Sequence, residues 1–493
     1  KCGKGKKNKK GNKKMSKKVN KKEEKHDLLY IMNPNCGWCK KSDPVVEALI
    51  KDGYEITTLD VTKPDEAERA NEIKTKHNAQ CGTPLFLDAE TGNRVCGFRE
   101  DVLENWAKGE EIPAPPPRPQ QQPQQQPQQP QQPTGPQKYK LEYIWMDGND
   151  TKNIRSKVRY QMINPTGKGG ILESIPEWGF DGSSTNQAET EDSDCILKPV
   201  RIFVNAADGR GQGQMPSLYV LCEVYNSDGT PHKSNSRTRL QRIMDTTKDE
   251  GMWVSVEQEY VTTDPITGLP LGWSDYDSDT PPPQGNYYCG VGSETNKGKN
   301  LAELHANICL QSGLSFDGFH SEVMLSQWEY QLGTGSPLDI ADQLWFSRFL
   351  LQRLGERMDI AISYDPKPVK GDWNGSGAHI NFSTRYMREE ADMDYMNLLC
   401  ANLQETHKKA IDAYGKGNKK RLTGKNETSS AGKYTWGTSD RSASIRIPLY
   451  TIKGNGLGYL EDRRPAANMD PYIAFSYLVS AVSHINEDLL MTT

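Results

Sequence analysis

The feature that most constrains this chain is a segment rich in proline and glutamine, residues 113–136, in which ten positions are Pro and ten are Gln. Because proline has a fixed φ and no backbone N–H, such a segment favours an extended spacer over a helix interior or a sheet. At ~3.1 Å per residue it would reach roughly 75 Å. We place a linker at 112–137 and expect folded parts at 26–111 and 138–493. A docking site for a proline-binding module is the alternative.

Residues 1–25 form a lysine-rich tail. They hold 13 Lys and two Glu, a local charge of +11 in a chain whose net charge is −4. Such a segment cannot bury a core, so we expect disorder. The tail could contact nucleic acid, an anionic surface or an import receptor, and a solubilising or non-specific tail is the alternative. It lacks the interleaved aromatic residues that favour binding of single-stranded nucleic acid.

The remaining composition predicts a protein without a membrane span. No stretch approaches the roughly 20 apolar residues that a transmembrane helix needs. Ten Cys, divided five and five by the linker, without a secretory signal or a small Cys-dense scaffold, indicate a reducing compartment. We expect a cytoplasmic location.

Residues 26–111 read as strands alternating with helices, which predicts an α/β domain. Its chemistry lies in Cys36-Gly37-Trp38-Cys39, between a strand and an amphipathic helix. A thiol at a helix N-terminus has a lowered pKa, so Cys36 would be the attacking thiol and Cys39 the resolving one. A zinc site completed by Cys81 and Cys96 is the alternative. Their 15-residue separation is unlike the close doublets of zinc ribbons.

These residues resemble the thioredoxin and glutaredoxin family over about 80 positions. "NCGWCKK" follows a strand as in that family, and "GTP" at 82–84 resembles its cis-proline loop, with Thr83 before Pro84. The resemblance implies thiol-disulfide exchange with a protein thiol or with glutathione. Gly37 stands where glutaredoxins usually carry Pro, which leaves glutathione use open. An inactive adaptor is also left open.

The second part contains several strands with a polar face. In "MWVSVEQEYV", Glu257 and Glu259 point to one side of a strand, because side chains alternate with period two. The same alternation places these other residues on polar faces: His379, Asn381, Ser383, Ser444, Arg446, Glu461 and Arg463. A solvated face explains any single strand. Four strands with bulky apolar backs instead indicate a barrel or funnel with a polar interior.

Five carboxylates and one imidazole in these strands and in "HSEVMLSQWEYQ" form a candidate metal site. They are Glu257, Glu259, Glu322, Glu329, Glu461 and His379. Oxygen ligands favour Mg²⁺ or Mn²⁺ over zinc, and two or more such ions suggest phosphoryl transfer. No P-loop is present, so the nucleotide would be held by the ions and by Arg421, Arg441, Arg446 and Arg463. The glycine runs at 209–213 and 454–458 read as turns.

Seven ordered motifs resemble type II, eukaryote-like glutamine synthetase over nearly all of 138–490. They are "WGFDGSSTNQAE", "VEQEY", "SEVMLSQWEYQLG", "DWNGSGAHINFST", "KRLTGKNETSS", "RSASIRIP" and "LEDRRPAANMDPY". The resemblance implies an α+β fold. It would comprise a small β-grasp domain at 138–230 and a catalytic domain at 231–493, with an antiparallel β funnel and helices.

The resemblance also implies residue roles. One ion would bind Glu259, Glu322 and Glu329, and another Glu257, His379 and Glu461. Arg441, Arg446 and Ser383 would bind nucleotide, while Arg441, Arg446 and Arg463 stabilise the transferred phosphoryl group. Glutamate would contact Asn374, Gly375, Arg421 and Arg463. Asp181 would deprotonate ammonium, and Glu427, in a flap where Asn426 replaces the expected His, would close the site.

The implied partners are glutamate, ammonium, ATP and further copies of the chain, in a double ring of ten subunits with shared sites. Two alternatives stay open: a redox protein carried on an inactive synthetase ring, and a ligase for another amine. Cys222, Cys289, Cys309 and Cys400 are expected to be buried, and Cys195 is less clearly placed.

Overall fold

The computed structural model describes residues 26–79, 81–110, 112, 135–165, 170–208, 215–273, 285–425 and 428–485. The chain divides into two compact units, Lys1–Gln128 and Gln129–Thr493. The predicted tail, most of the predicted linker, and Asn426 and Glu427 of the flap lie outside the described residues. None of the described helices is both long enough and apolar enough to span a bilayer.

The first unit is a four-stranded mixed sheet with helices. Its elements are β1 (Leu28–Met32), α1 (Gly37–Lys51), β2 (Ile56–Asp60), α2 (Pro64–Lys76), β3 (Leu85–Asp88), β4 (Arg94–Cys96) and α3 (Glu100–Ala107). The strand order is β2-β1-β3-β4, with β1 parallel to β2 and the other pairs antiparallel. Strand β1 is apolar on both faces and is buried on both, because it lies inside the sheet. Its C-terminal end leads directly to the CxxC segment.

The second unit begins with a five-stranded sheet. Its elements are β5 (Gln137–Met146), β6 (Ile154–Ile163), α4 (Gly170–Glu173), β7 (Trp178–Asp181), β8 (Asp194–Val204) and β9 (Ser217–Asn226). The order is β6-β5-β9-β8-β7, and only the β5–β9 pair is parallel among these described strands. Edge strand β7 carries Asp181 at its end.

The larger sheet of the second unit has eight strands. They are β10 (Trp253–Thr263), β11 (Phe316–Ser321), β12 (Gln327–Gly335), β13 (Ala361–Ser363), β14 (Ala378–Ser383), β15 (Trp436–Thr438), β16 (Ile445–Ile447) and β17 (Leu460–Asp462). The order is β11-β12-β10-β14-β17-β16-β15, and β13 pairs with β10. The expected antiparallel arrangement is wrong for β15 and β16, which are parallel. Residues 439–444 bring the chain back to the start of β15, where Ile445 N donates to the Thr435 carbonyl. Strand β16 therefore runs in the same direction as β15.

The second unit also contains helices, some of which pack on the apolar back of this sheet and others on neighbouring helices. They are α5 (Ser236–Thr246), α6 (Lys299–Gln311), α7 (Pro337–Met358), α8 (Arg385–Glu389), α9 (Met393–Asn402), α10 (His407–Ala413), α11 (Asn418–Arg421), α12 (Leu449–Lys453) and α13 (Pro471–Val482). Helix α7 starts at a Ser336 cap, whose hydroxyl accepts from Asp339 N, followed by Pro337 at its first position. It is buried on nearly all sides, and Phe346 and Leu350 join Val254 and Val256 of β10 in one core.

Candidate active site

Strand β10 has carboxylates on one face and a buried amide side chain on the other. Glu257 and Glu259 face one side, opposite His379 of β14 and Glu329 of β12. Gln258 between them faces the core, where its amide donates to the carbonyls of Glu259 (2.7 Å) and Ala467 (3.0 Å) and accepts from the buried Arg348. The back of the strand is thereby anchored while its front presents carboxylates.

The first group of potential ligands surrounds His379. Its Nδ1 lies 3.4 Å from Glu257 Oε2 and 3.7 Å from Glu461 Oε1. This nitrogen is buried and has no hydrogen-bond partner among the described residues. Burial, followed by the charges of Arg463 and Arg421, holds the pKa of His379 well below its usual value. The ring is therefore neutral, which is the form that binds metal ions.

A second group joins Glu259, Glu329 and His379. Glu259 Oε2 accepts from Gln327 Nε2 at 2.8 Å and from Gly377 N at 2.9 Å. Glu329 has fewer compensating contacts. Burial, with the charges of Glu257 and Glu322, raises the pKa of Glu329 to about 8.

The third group contains a residue that the sequence reasoning missed. His320 Nε2 lies 3.0 Å from Glu322 Oε1 and 3.9 Å from Glu329 Oε1. The signal was present, because His320 precedes Glu322 by two positions and β11 gives such residues a common face. Tyr288 packs edge-on against the His320 ring, with centroids 5.4 Å apart.

The donor set fits hard divalent cations. In each of the three groups, the potential ligand atoms all lie within 4.8 Å of one another. A raised carboxyl pKa and an unpartnered buried imidazole nitrogen are both conditions that a bound cation relieves. The oxygen-rich donors suit Mg²⁺ or Mn²⁺.

The predicted arginines occupy different environments. Arg446 Nη1 and Arg463 Nη1 donate to the two oxygens of Glu461, at 2.9 and 2.5 Å. Arg421 is buried and donates to the carbonyl of Arg463, with its Nη2 3.1 Å from His379 Nε2. Arg441 is exposed, in the turn between β15 and β16.

The predicted glutamate-binding segment lies beside Arg421. Asn374 is buried, and the carbonyl of Gly375 accepts from Gln327 Nε2 at 2.9 Å. The same Gln327 nitrogen donates to Glu259, so one side chain joins this segment to the carboxylate cluster.

A cavity of about 530 Å³ adjoins the cluster at Asn381, whose amide donates to Glu257. Ser383 lines it, and the Arg388 guanidinium lies 3.8 Å above the Trp253 ring that forms one wall. The sequence reasoning missed Trp253, Arg388, Tyr450 and Tyr459 in this cavity. It also treated the glycine run at 454–458 only as a turn, yet Leu457 and Gly458 line the cavity.

Asp181 lies in the five-stranded sheet region, exposed at the end of β7. Its carboxylate accepts from the hydroxyls of Ser183 (2.6 Å) and Ser184 (2.7 Å), and these bonds lower the pKa of Asp181. Within the part of the chain that the structure describes, no hydrogen bond or ion pair joins Asp181 to the carboxylate cluster.

The CxxC pair of the first unit has two unlike thiols. Cys36 is the N-cap of α1 and half-exposed, with its Sγ 3.5 Å from the Thr83 carbonyl. Hydrogen bonds from the backbone and side chain of Cys39 lower the pKa of Cys36, whereas burial raises that of Cys39. The Thr83–Pro84 peptide bond is cis.

Two cysteine predictions are corrected. Cys81 and Cys96 form a disulfide, so the zinc site that would have used them does not form. They meet because β3 and β4 form a hairpin that pairs Leu85 with Cys96. Cys289, predicted to be buried, is exposed, because it lies in a turn outside the sheets. Cys195, Cys222, Cys309 and Cys400 are buried.

Comparison with known proteins identifies the second unit. The glutamine synthetase catalytic domain profile matches residues 233–489. A chloroplastic glutamine synthetase of Chlamydomonas reinhardtii is 44% identical over 348 residues, 69% of this chain and 90% of that protein. A glutamine synthetase of Streptomyces viridochromogenes is 46% identical over 344 residues, 69% of this chain and 96% of that protein. A Plasmodium falciparum glutamine synthetase, solved by electron cryomicroscopy, covers 70% of this chain and 71% of its own with a TM-score of 0.55. At 18% identity it supports the fold alone.

A mixed sheet with carboxylates and His379 grouped on one face and helices on its back defines an α+β protein with candidate sites for divalent cations. The matches to known proteins assign this α+β protein to one family. The chain belongs to the glutamine synthetase family.

Proposed function

We propose that this chain ligates ammonia to the γ-carboxylate of L-glutamate, with ATP hydrolysed to ADP and phosphate through γ-glutamyl phosphate. The observation that carries the proposal is the buried group of carboxylates around His379, in a chain 44% and 46% identical to named glutamine synthetases. ATP binds in the cavity beside Ser383, and its phosphates reach the carboxylates past Asn381.

The carboxylates and His379 are placed to hold the cations. Glu257, His379 and Glu461 form one group and would bind one Mg²⁺ or Mn²⁺. Glu329 belongs both to a group with Glu259 and His379 and to a group with Glu322 and His320, so Glu259, Glu322 and Glu329 would bind the other ion from two adjoining groups. Bound there, the cations would neutralise phosphate oxygens and orient the γ-phosphoryl group. Arg446 and Arg463 flank Glu461 and supply positive charge to the phosphoryl group during transfer. Arg441 approaches from the exposed turn.

The glutamate substrate occupies the segment of Asn374 and Gly375, with Arg421 and Arg463 holding its charge. Its γ-carboxylate attacks the γ-phosphorus of ATP and ADP leaves. Ammonia then attacks the acyl phosphate carbon, and phosphate leaves. Asp181 takes the proton from ammonium, and Glu427 closes over the acyl phosphate to exclude water.

Asp181 would act in the site of a neighbouring subunit of a ring, for which a decamer is our prediction. Its exposure, and the purely local hydrogen bonds of its carboxylate, support this. The test is to dissociate and reassemble Asp181→Asn subunits with Glu461→Gln subunits. Shared sites predict activity in the mixture that neither variant has alone. A mixture as inactive as its components would contradict sharing.

The deciding measurement is phosphate release from Mg·ATP by the full chain, with and without glutamate and ammonium. The ligase requires release that depends on both substrates, and glutamine must appear in equal amount. Hydroxylamine and methylamine, offered in competition with ammonium, test the alternative of another amine. An assembled, cation-loaded protein that releases no phosphate would make the second unit a scaffold.

We further propose thiol-disulfide exchange at Cys36. The Cys36 thiolate attacks a substrate disulfide, one substrate thiolate leaves, and Cys39 then displaces the second thiol to form a Cys36–Cys39 disulfide. The half-exposed Cys36, the buried Cys39 and the adjoining Thr83 carbonyl support this. Insulin reduction driven by dithiothreitol tests it. Cys36→Ser should abolish the activity, and a rate equal to wild type would contradict the proposed exchange.

Cytoplasmic location remains our prediction.

A further inference from the structure

A second cavity, of about 490 Å³, lies in the second unit, and its lining includes Lys420, the residue before Arg421. We call it the lysine cavity. Its charged lining residues are Lys152, Asp365, Lys416 and Lys420. Its volume is in the range that small-molecule sites occupy.

The charge of the lining is positive. Three ammonium groups stand against one carboxylate, that of Asp365. Lys152 Nζ donates to the Ser234 carbonyl at 3.2 Å, which leaves donors for a ligand. Lys416 Nζ pairs with Asp150 at 3.1 Å, but both side chains are mostly exposed, so this pair is weak. The Lys420 ammonium group has no hydrogen bond or ion pair with any described residue, whereas the Lys420 N–H donates to the Gly417 carbonyl at 2.9 Å.

The remaining surface suits a small organic anion. Ile154, Ile362 and the Tyr364 ring provide apolar contact, and the Gln352 amide can donate or accept. The Asn153 amide nitrogen already donates to Asp147 at 2.9 Å. Lysines recognise phosphate and carboxylate as compact point charges that can move to meet them.

Three segments of the lysine cavity continue directly into the active site. Asp365 precedes Pro366, whose carbonyl accepts from Ser376 N at 3.0 Å beside the candidate glutamate segment. Lys420 precedes Arg421, whose guanidinium reaches His379.

The third segment runs through Asn468. It follows Ala467, whose N–H donates to the Ser376 carbonyl at 3.0 Å and whose carbonyl accepts from Gln258. A ligand that draws these three segments together therefore shifts groups that contact the carboxylate cluster.

We propose that the lysine cavity binds a small organic dianion, carboxylate or phosphate in chemistry, and that its occupancy changes glutamate affinity at Arg421. The second half rests on the proposed ligase function. The first half is independent of it, because binding is measurable without turnover.

The test is calorimetric titration of the full, cation-free chain with malonate, and separately with inorganic phosphate, at fixed ionic strength. One saturable site per chain is expected for at least one probe, and which probe binds identifies the chemistry. Lys152→Gln/Lys420→Gln should weaken that binding at least about tenfold, since two charge-assisted contacts are lost. The matched control is Lys408→Gln/Lys453→Gln, two exposed lysines elsewhere in the unit, and it should bind as wild type does.

Three results would overturn the proposal. They are no saturable binding of either probe, equal affinity in the two double variants, or loss of binding in Arg446→Gln with retention in Lys152→Gln/Lys420→Gln. The last would place the probe on the active-site arginines. Glutamate affinity, measured by the same titration with the cavity saturated, should change at least threefold. An unchanged value would overturn the effector role, even in a protein that proved inactive as a ligase.

Discussion

Gly375 and Arg421 are packed without room for a single methyl group between them. A Cβ on Gly375 would lie 2.5 Å from Arg421 Cγ and 2.6 Å from the Pro366 carbonyl oxygen. Arg421 itself is buried and holds the carbonyl of Arg463. The candidate glutamate segment and the arginine beside His379 are therefore positioned by one close contact.

Gly375→Ala should displace Arg421 or the 374–376 backbone. Overpacking of this kind destabilises a protein by roughly 1–3 kcal/mol. We expect a lower urea midpoint and a raised KM for glutamate. Gly432→Ala is the matched control, because a Cβ there has no atom within 4 Å. Equal effects of the two substitutions would contradict the packing argument.

Glu461→Gln should weaken divalent-cation binding. The variant removes one charge beside His379 Nδ1 and leaves Arg446 and Arg463 without the carboxylate to which both donate. We expect at least about a tenfold loss of Mn²⁺ affinity, measured from the electron paramagnetic resonance of free Mn²⁺. Glu303→Gln, on the exposed face of α6, should leave the affinity unchanged. Full Mn²⁺ affinity in Glu461→Gln would exclude Glu461 as a ligand.

His305 should make folding sensitive to mild acid. Complete burial lowers the pKa of His305 from 6.5 to about 4, although its ring contacts the Ser347 carbonyl. The unfolded state takes up a proton that the folded state does not, so stability falls as pH drops from 6.5 to 4 and stays level below that for this group. The full difference is about 3.5 kcal/mol at ~1.4 kcal/mol per pKa unit.

Urea unfolding of wild type and His305→Gln between pH 7 and 4 measures this contribution. The variant should show a shallower fall in unfolding free energy over that range, whatever its stability at pH 7. His484→Gln, at an exposed position, serves as the control and should follow wild type. Parallel curves for wild type and His305→Gln would contradict the assignment.

Cys36 should be alkylated before Cys39. The pKa of Cys36 is lowered and its thiol is half-exposed, whereas Cys39 is buried with a raised pKa. At pH 7, limiting iodoacetamide followed by peptide mass spectrometry should find modification of Cys36 at least about ten times faster, since the thiolate is the nucleophile. Similar rates at the two positions would remove the basis for assigning the attacking thiol.

Local patterns were sufficient for much of the second unit. Period-two alternation placed Glu257 and Glu259 on one face, and the motif order gave the family, which the comparisons confirm. The same patterns could place His320 beside Glu322 but not beside Glu329, because the 3.9 Å distance to Glu329 depends on how β11 pairs with β12. The Cys81–Cys96 disulfide was not predicted for a related reason, because it depends on the register in which β3 pairs with β4.

Side-chain burial was the least predictable property. Arg421 and Arg441 were both assigned to charged ligands, yet one is buried against carbonyls and the other is exposed in a turn. The sequence around each arginine is polar, so nothing local distinguishes them. The thioredoxin-like classification of the first unit remains a prediction. The roles assigned to individual residues in binding ions, nucleotide and glutamate also remain predictions.

The hydrogen bonds of Gln258 indicate which positions a mutant library of this protein should keep constant. Its amide donates to backbone carbonyls and accepts from the buried Arg348, so these contacts hold the strand that bears Glu257 and Glu259 from its core side. If the proposed ligase function holds, libraries aimed at new amine acceptors would vary the opposite face of the strand and keep Gln258, Arg348 and the Ala467 carbonyl constant. A library that randomised this triad would lose active clones for reasons unrelated to specificity.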